Sequence, residues 1–189
     1  MTLEYIAGLI TGEGCFCLAV MRVASRRGKV RIVPTFGMFM TDEETIREVA
    51  ETLKEHGLPV YYQERRKAAR GKLHVGVHAS GIKRVKRYCD TFVPLLTGEK
   101  KRAALLVQEF CDSRLATPRG GTRGNPPYTE RQIQLVEEVR AVNSSGNGRK
   151  NAIETLRDHT SDARPYRVKR WSEPRGDTGR LAETTSPAA

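Results

Sequence analysis

The chain has 189 residues, with 33 Lys+Arg against 22 Asp+Glu and a formal net charge of +11. No apolar run reaches the roughly 18 residues of a membrane helix, and MTLEYIAGLITGEG carries Glu4 where a signal peptide would carry a basic cluster, so an intracellular, non-secreted protein without a membrane partner is expected. At 38% hydrophobic the chain has material for a core, which excludes a wholly disordered polymer, and its surplus of cations points to a polyanion partner.

Leu3, Ile6, Ala7 and Ile10 repeat at helical spacing and lead into Gly12-Glu13-Gly14. CFCLAVMRV (15–23) and VRIVPTFGMFM (30–40) alternate as strands, with SRRGK as the hairpin turn. Thr41-Asp42-Glu43-Glu44 has the form of a capping box before a helix carrying Ile46, Val49, Ala50 and Leu53, and Gly57 ends it. VYYQERRK and KLHVGVH form a second hairpin around 68–71. Ser80 is expected to cap a helix with Ile82, Val85, Tyr88 and Cys89. Pro94, Gly98 and a basic triplet precede a helix over 103–110, and PRGGTRGNPP is a loop. Thr129-Glu130-Arg131-Gln132 caps the last helix, with Ile133, Val136 and Val139. This order predicts an α+β fold, αββαββα with a closing helix, in which helices back one face of a four-stranded antiparallel sheet.

The text changes at Asn143. Beyond it the large apolar residues are only Ile153, Leu156, Tyr166, Val168, Trp171 and Leu181, too few to bury. A folded domain over 1–143 (net +8) and a basic, disordered tail over 144–189 (net +3), with a short helix at 150–158, are expected. Cys15, Cys17, Cys89 and Cys111 include no CxxC pair, so buried reduced thiols are expected rather than a zinc site or a disulfide framework.

Strand alternation assigns the sheet faces. Val60, Tyr62, Leu73, Val75 and Val77 should point to the core, and Tyr61, Gln63, Arg65, Lys67, Lys72, His74 and His78 to the open face. With Arg70, and with Arg26, Arg27 and Lys29 at the first hairpin tip, they form a basic, partly aromatic surface suited to DNA. On the first two strands Phe16, Leu18, Val20, Phe36, Met38 and Met40 point inward, which leaves Cys17, Ala19, Met21 and Phe39 on an open face that is apolar over half its width. His74 and His78 stand four apart on a strand, a spacing for a polar sheet surface rather than a metal pair.

The motif with most chemical content is Ile6-Ala7-Gly8-Leu9-Ile10-Thr11-Gly12-Glu13-Gly14. Cys17 occupies the third glycine position of a dinucleotide fingerprint, which excludes that motif. The stretch resembles the LAGLIDADG motif of homing endonucleases in its GEG variant. Pro34-Thr35-Phe36 with Thr41-Asp42, Val93-Pro94-Leu95-Leu96 with Lys100-Lys101, and Tyr128-Thr129 to Val142-Asn143 are similar to further segments of that family, so the resemblance covers about 1–143. It implies a site-specific, Mg²⁺-dependent double-strand DNA endonuclease encoded in a mobile intron or intein. One motif copy implies a homodimer reading a pseudo-palindromic site. Glu13 with Gly12 would form the metal site, Lys100 or Lys101 would stabilise phosphate charge, and Asp42 would position water or simply cap its helix.

The residues support the same picture without the name. Ala7, Gly8, Thr11 and Gly12 are small and close together on a helix, so two copies could approach closely through them. Two Glu13 carboxylates would then meet, and such a like-charged pair calls for a divalent cation. Thr11 stands where the family usually has Asp. An RNA maturase on the same scaffold, with RNA as partner, is the first alternative. A catalytically silent DNA-binding regulator is the second, and a basic ribonucleoprotein component the third.

Overall fold

Thr2 opens the first helix, α1 (Leu3–Glu13), by accepting a hydrogen bond from the Tyr5 amide at 3.3 Å. Ile6, Ala7 and Ile10 form its buried side. The structure, a computed structural model, describes residues 1–22, 30–66, 73–117 and 126–143. The expected turns at 25–29 and 68–71, most of the 118–127 loop and the tail lie outside them. So do Arg26, Arg27, Lys29, Lys67, Arg70 and Lys72.

The helix includes Glu13 and passes straight into β1 (Gly14–Arg22). The junction admits only glycine at position 14. A Cβ there would lie 2.7 Å from Ile10 Cγ2 and 2.8 Å from both the Cα and the carbonyl oxygen of Ile10. The chain continues through β2 (Val30–Met40), α2 (Glu43–Glu55), β3 (Tyr61–Arg66), β4 (Leu73–Ser80), α3 (Ile82–Phe92), α4 (Gly98–Ala116) and α5 (Glu130–Val142), which is the expected order.

All neighbouring strands are antiparallel, in the order β1-β2-β4-β3. Gly14 pairs with Met38 and Arg22 with Val30; Thr35 pairs with Ser80 and Met40 with Val75. Residues 30–34 of β2 therefore extend beyond β4. There Tyr128 Oη accepts a hydrogen bond from the Ile32 amide at 2.8 Å, and the Pro34 carbonyl accepts one from the Gly81 amide at 3.0 Å. These bonds satisfy backbone groups that β4 does not reach.

Among the described residues, helices pack on one sheet face: α2 on β4, α3 on β2, and α4 and α5 on β1. Phe16, Leu18, Phe36, Met38, Val75 and Val77 are buried beneath them. The Phe36 ring stacks on Tyr88, centroids 4.6 Å apart, and meets Phe16 at 5.1 Å. Residues of this size buried on a period of two fix the register, because a one-residue slip would turn them all to solvent.

Several local expectations need correction. Asp42, not Thr41, is the N-cap of α2. Gly81 at φ 97° is the N-cap of α3, with no side-chain bond, while Ser80 remains the last residue of β4. The helix expected over 103–110 runs from Gly98 to Ala116. Tyr62, expected in the core, is exposed, with the Arg47 guanidinium 5.7 Å from its ring centre. Cys89 and Cys111 are buried, but Cys15 and Cys17 are only half-buried.

Candidate functional site

Three element ends meet at the start of β1. Among the described residues β1 is the outermost strand and has one edge without a strand partner, so its carbonyls there need donors. Lys100, in the first turn of α4, donates from Nζ to the Gly14 carbonyl at 2.6 Å. Asn143, the C-cap of α5, donates from Nδ2 to the Phe16 carbonyl at 2.9 Å. Gly98, at φ 57°, begins α4 and so sets where Lys100 emerges. Lys101 is turned about 100° further around the helix. Of the two lysines left open by the sequence, Lys100 is the one held beside the residue that follows Glu13.

Glu13 is exposed at the end of α1, and Gly8, Thr11 and Gly12 lie exposed on the same helix with Glu4 and Tyr5. A Cβ at Gly8 or Gly12 would meet nothing within 4 Å, so both glycines face open space. Ala7 does not belong to that face: at 3% exposure it lies in the chain's own core, which corrects its assignment to a contact surface. Thr11 Oγ1 donates to the Ala7 carbonyl at 2.9 Å, which engages the hydroxyl within its own helix. Tyr5, 57% exposed, carries the largest apolar surface on this face. It escaped the sequence reading because a single tyrosine in a helical repeat gives no sign of which side it takes.

Asp42 follows the end of β2 at the same end of the sheet as Gly14, since Met38 pairs with Gly14. Its carboxylate accepts the Glu44 and Thr45 amides at 3.1 and 3.3 Å and the Thr45 hydroxyl at 2.7 Å. The Thr45 hydroxyl, then the Thr45 amide and the Glu44 amide, hold its pKa below the ordinary carboxylate value. These bonds make Asp42 a helix cap.

On the open face the thiols of Cys15 and Cys17 stand 2.9 Å apart. Asn143 Nδ2 lies 3.7 Å from the Cys17 sulfur. The hydrogen bond between the two thiols lowers the Cys15 pKa, aided by the charge of Lys100, and raises that of Cys17, where burial acts in the same direction. Ala19 is half-buried and Met21 exposed, as the alternation predicts. Across the sheet, Tyr61 and Gln63 are exposed and His74 is half-buried, with Arg65 opposite His74 in the register. Arg84, which sequence analysis did not single out, places its guanidinium 5.4 Å from the Tyr61 ring centre.

A hard cation such as Mg²⁺ takes about six oxygen ligands. The described residues contain no cluster of three or more His, Cys, Asp or Glu that could hold one. One chain offers the exposed Glu13 carboxylate and nearby backbone oxygen, hard donors of the right chemistry but too few by themselves for such a cation.

No family model and no curated protein matches the chain. Solved structures do. The homing endonuclease I-CvuI, in complex with a DNA target, aligns with a TM-score of 0.61 over 84% of this chain and 91% of its own, at 16% identity. The archaeal intron-encoded homing endonuclease I-Vdi141I, complexed with DNA, gives 0.58 over 83% and 93%, at 21% identity. The chain has the LAGLIDADG homing-endonuclease fold. A third such structure, the LAGLIDADG homing endonuclease I-SmaMI bound to cleaved DNA, aligns at 0.56 over 84% of this chain but 48% of its own, at 14% identity. This chain thus matches about half of I-SmaMI and nearly all of I-CvuI.

Proposed function

We propose that the protein is a site-specific DNA endonuclease that acts as a homodimer with Mg²⁺. The observation that carries this reading is the arrangement at the α1–β1 junction: an exposed, small-residue helix face that ends on the Glu13 carboxylate, with Lys100 bonded to the next carbonyl. Two α1 helices packed through Gly8, Thr11 and Gly12 would bring both Glu13 carboxylates to the twofold axis. Mg²⁺ held there by Glu13 and Gly12 would supply an activated water and stabilise the leaving oxygen of the phosphodiester. The chain's own part is to orient the carboxylates and to keep a cation near the phosphate. A lysine ammonium has three donors, and the Gly14 bond uses one, so Lys100 retains donors for the charge that develops on the phosphate.

DNA would lie along the open sheet face, read by Tyr61, Gln63, Arg65 and His74. Outside the described residues, Arg26, Arg27, Lys29, Lys67, Arg70 and Lys72 would contact phosphates. A twofold protein would recognise a pseudo-palindromic site, and a mobile intron or intein is the proposed genetic setting.

The test exposes the full chain to a library of duplexes with and without Mg²⁺ and maps the breaks, alongside Glu13→Gln. Paired breaks at one sequence, present only with Mg²⁺ and absent with the variant, are expected. Binding without breaks in the wild type would favour a silent DNA-binding protein, and preferential binding of structured RNA the maturase.

A further inference from the structure

We propose that Cys15 and Cys17 form a dithiol site that a peroxide oxidises reversibly to an intrachain disulfide. The two residues stand at i and i+2 in β1, so their side chains leave the same sheet face, and their sulfurs already approach to 2.9 Å. Both are half-buried, whereas Cys89 and Cys111 are buried. Opposite Cys15, β2 carries Gly37, which has no side chain of its own. The pair is unlike ordinary structural thiols: it lies at the open face, beside the Lys100–Gly14 bond, and Asn143 reaches the Cys17 sulfur.

The chemistry balances with a peroxide as oxidant. The Cys15 sulfur attacks a peroxide oxygen, the O–O bond breaks, and the departing hydroxide takes the thiol proton as water, leaving a sulfenic acid. The Cys17 sulfur then attacks the Cys15 sulfur. The S–O bond breaks, and the hydroxide leaves with the Cys17 proton as a second water. A dithiol reductant returns two electrons and two protons. Residues i and i+2 of a strand have Cα atoms about 6.4–6.8 Å apart, the stretched end of the disulfide range. The bond would therefore be strained and readily reduced, a property of labile rather than structural disulfides. Nothing in this chemistry depends on the endonuclease reading.

The experiment treats the reduced full-length protein with graded hydrogen peroxide, blocks remaining thiols with an alkylating agent under denaturing conditions, and maps peptides by mass. In the wild type the peptide holding both residues should become two hydrogens lighter, and dithiothreitol should restore it, while Cys89 and Cys111 stay alkylable. Cys17→Ser should stop at a Cys15 sulfenic acid that dimedone captures. If Cys15 and Cys17 oxidise no sooner than Cys89 and Cys111, the proposal fails. It fails equally if they pass to sulfinic acid without a disulfide, or pair only between chains.

Discussion

Lys100 Nζ lies 2.6 Å from the carbonyl oxygen of Gly14, the residue directly after Glu13. A lysine from the first turn of one helix thus fixes the residue at which another helix becomes a strand. Under the proposed function, Lys100→Met should lower single-turnover cleavage by about 10²-fold at saturating DNA, with little change in affinity. Losing the bond should also cost about 1 kcal/mol of stability, measured by urea unfolding. Lys101→Met should leave the cleavage rate within a few-fold of wild type. Equal losses in the two variants would remove the special place given to Lys100.

Gly8→Leu separates folding from assembly. A Cβ at Gly8 would meet nothing within 4 Å, and leucine favours a helix over glycine by about 0.5–1 kcal/mol. The variant should therefore fold at least as well as wild type. Packed against a second α1, the same leucine should hold the helices apart and abolish the dimer and double-strand cleavage together. Sedimentation equilibrium gives the answer, and a variant that remains dimeric and cleaves normally would show that the chains do not associate through this face.

Gly14→Ala should have the opposite profile. Its Cβ would collide with the backbone of Ile10, and relief requires α1 and β1 to part. Overpacking of this kind costs about 1–3 kcal/mol or more. Gly12→Ala, two residues earlier and facing open space, is the control and should not destabilise the monomer. Comparing thermal unfolding of the two variants checks the expected order.

Asp42 should behave as a cap. The Thr45 hydroxyl and the Thr45 and Glu44 amides depress its folded pKa. Its contribution to stability is therefore complete above the unfolded carboxylate value of about 3.9 and is lost as the pH falls through the lower folded value. Asp42→Ala should remove this pH-dependent part and lower the stability of α2, while Asp42→Asn, which can still accept the amides, should retain most of it. If Asp42→Asn folds like wild type yet loses cleavage, the carboxylate has a chemical role beyond the cap.

The sequence was most readable where a period repeats. The alternation of Phe16 with Leu18 and of Phe36 with Met38 identified both strands and their buried faces, and the Thr129–Gln132 capping box is present with both of its hydrogen bonds. It was least readable where the outcome depends on a residue far along the chain. Ala7 and Gly8 are equally small, and only the packing of α1 on the sheet puts one inside and the other outside. Lys100 and Lys101 have the same chemistry, and only the course of α4 past β1 separates them. The bond from Asn143 to the Phe16 carbonyl was not legible either, because the two residues lie 127 positions apart. Cysteine spacing made Cys15 and Cys17 buried thiols while strand alternation put Cys17 on the open face, and neither registers how closely the two sulfurs approach.

The length of β2 sets a ruler. Its 11 residues, at about 3.3 Å each, measure about 36 Å, close to the 34–36 Å of one B-DNA turn. Under the proposed reading, one chain would inspect about one turn of duplex and a twofold pair about 20 base pairs. There are roughly 10¹² sequences of that length, against the about 10⁶–10⁹ sites a genome offers. Such a reader could tolerate a few mismatches and still find a unique address, so modest drift of its target over generations need not leave it without a place to bind.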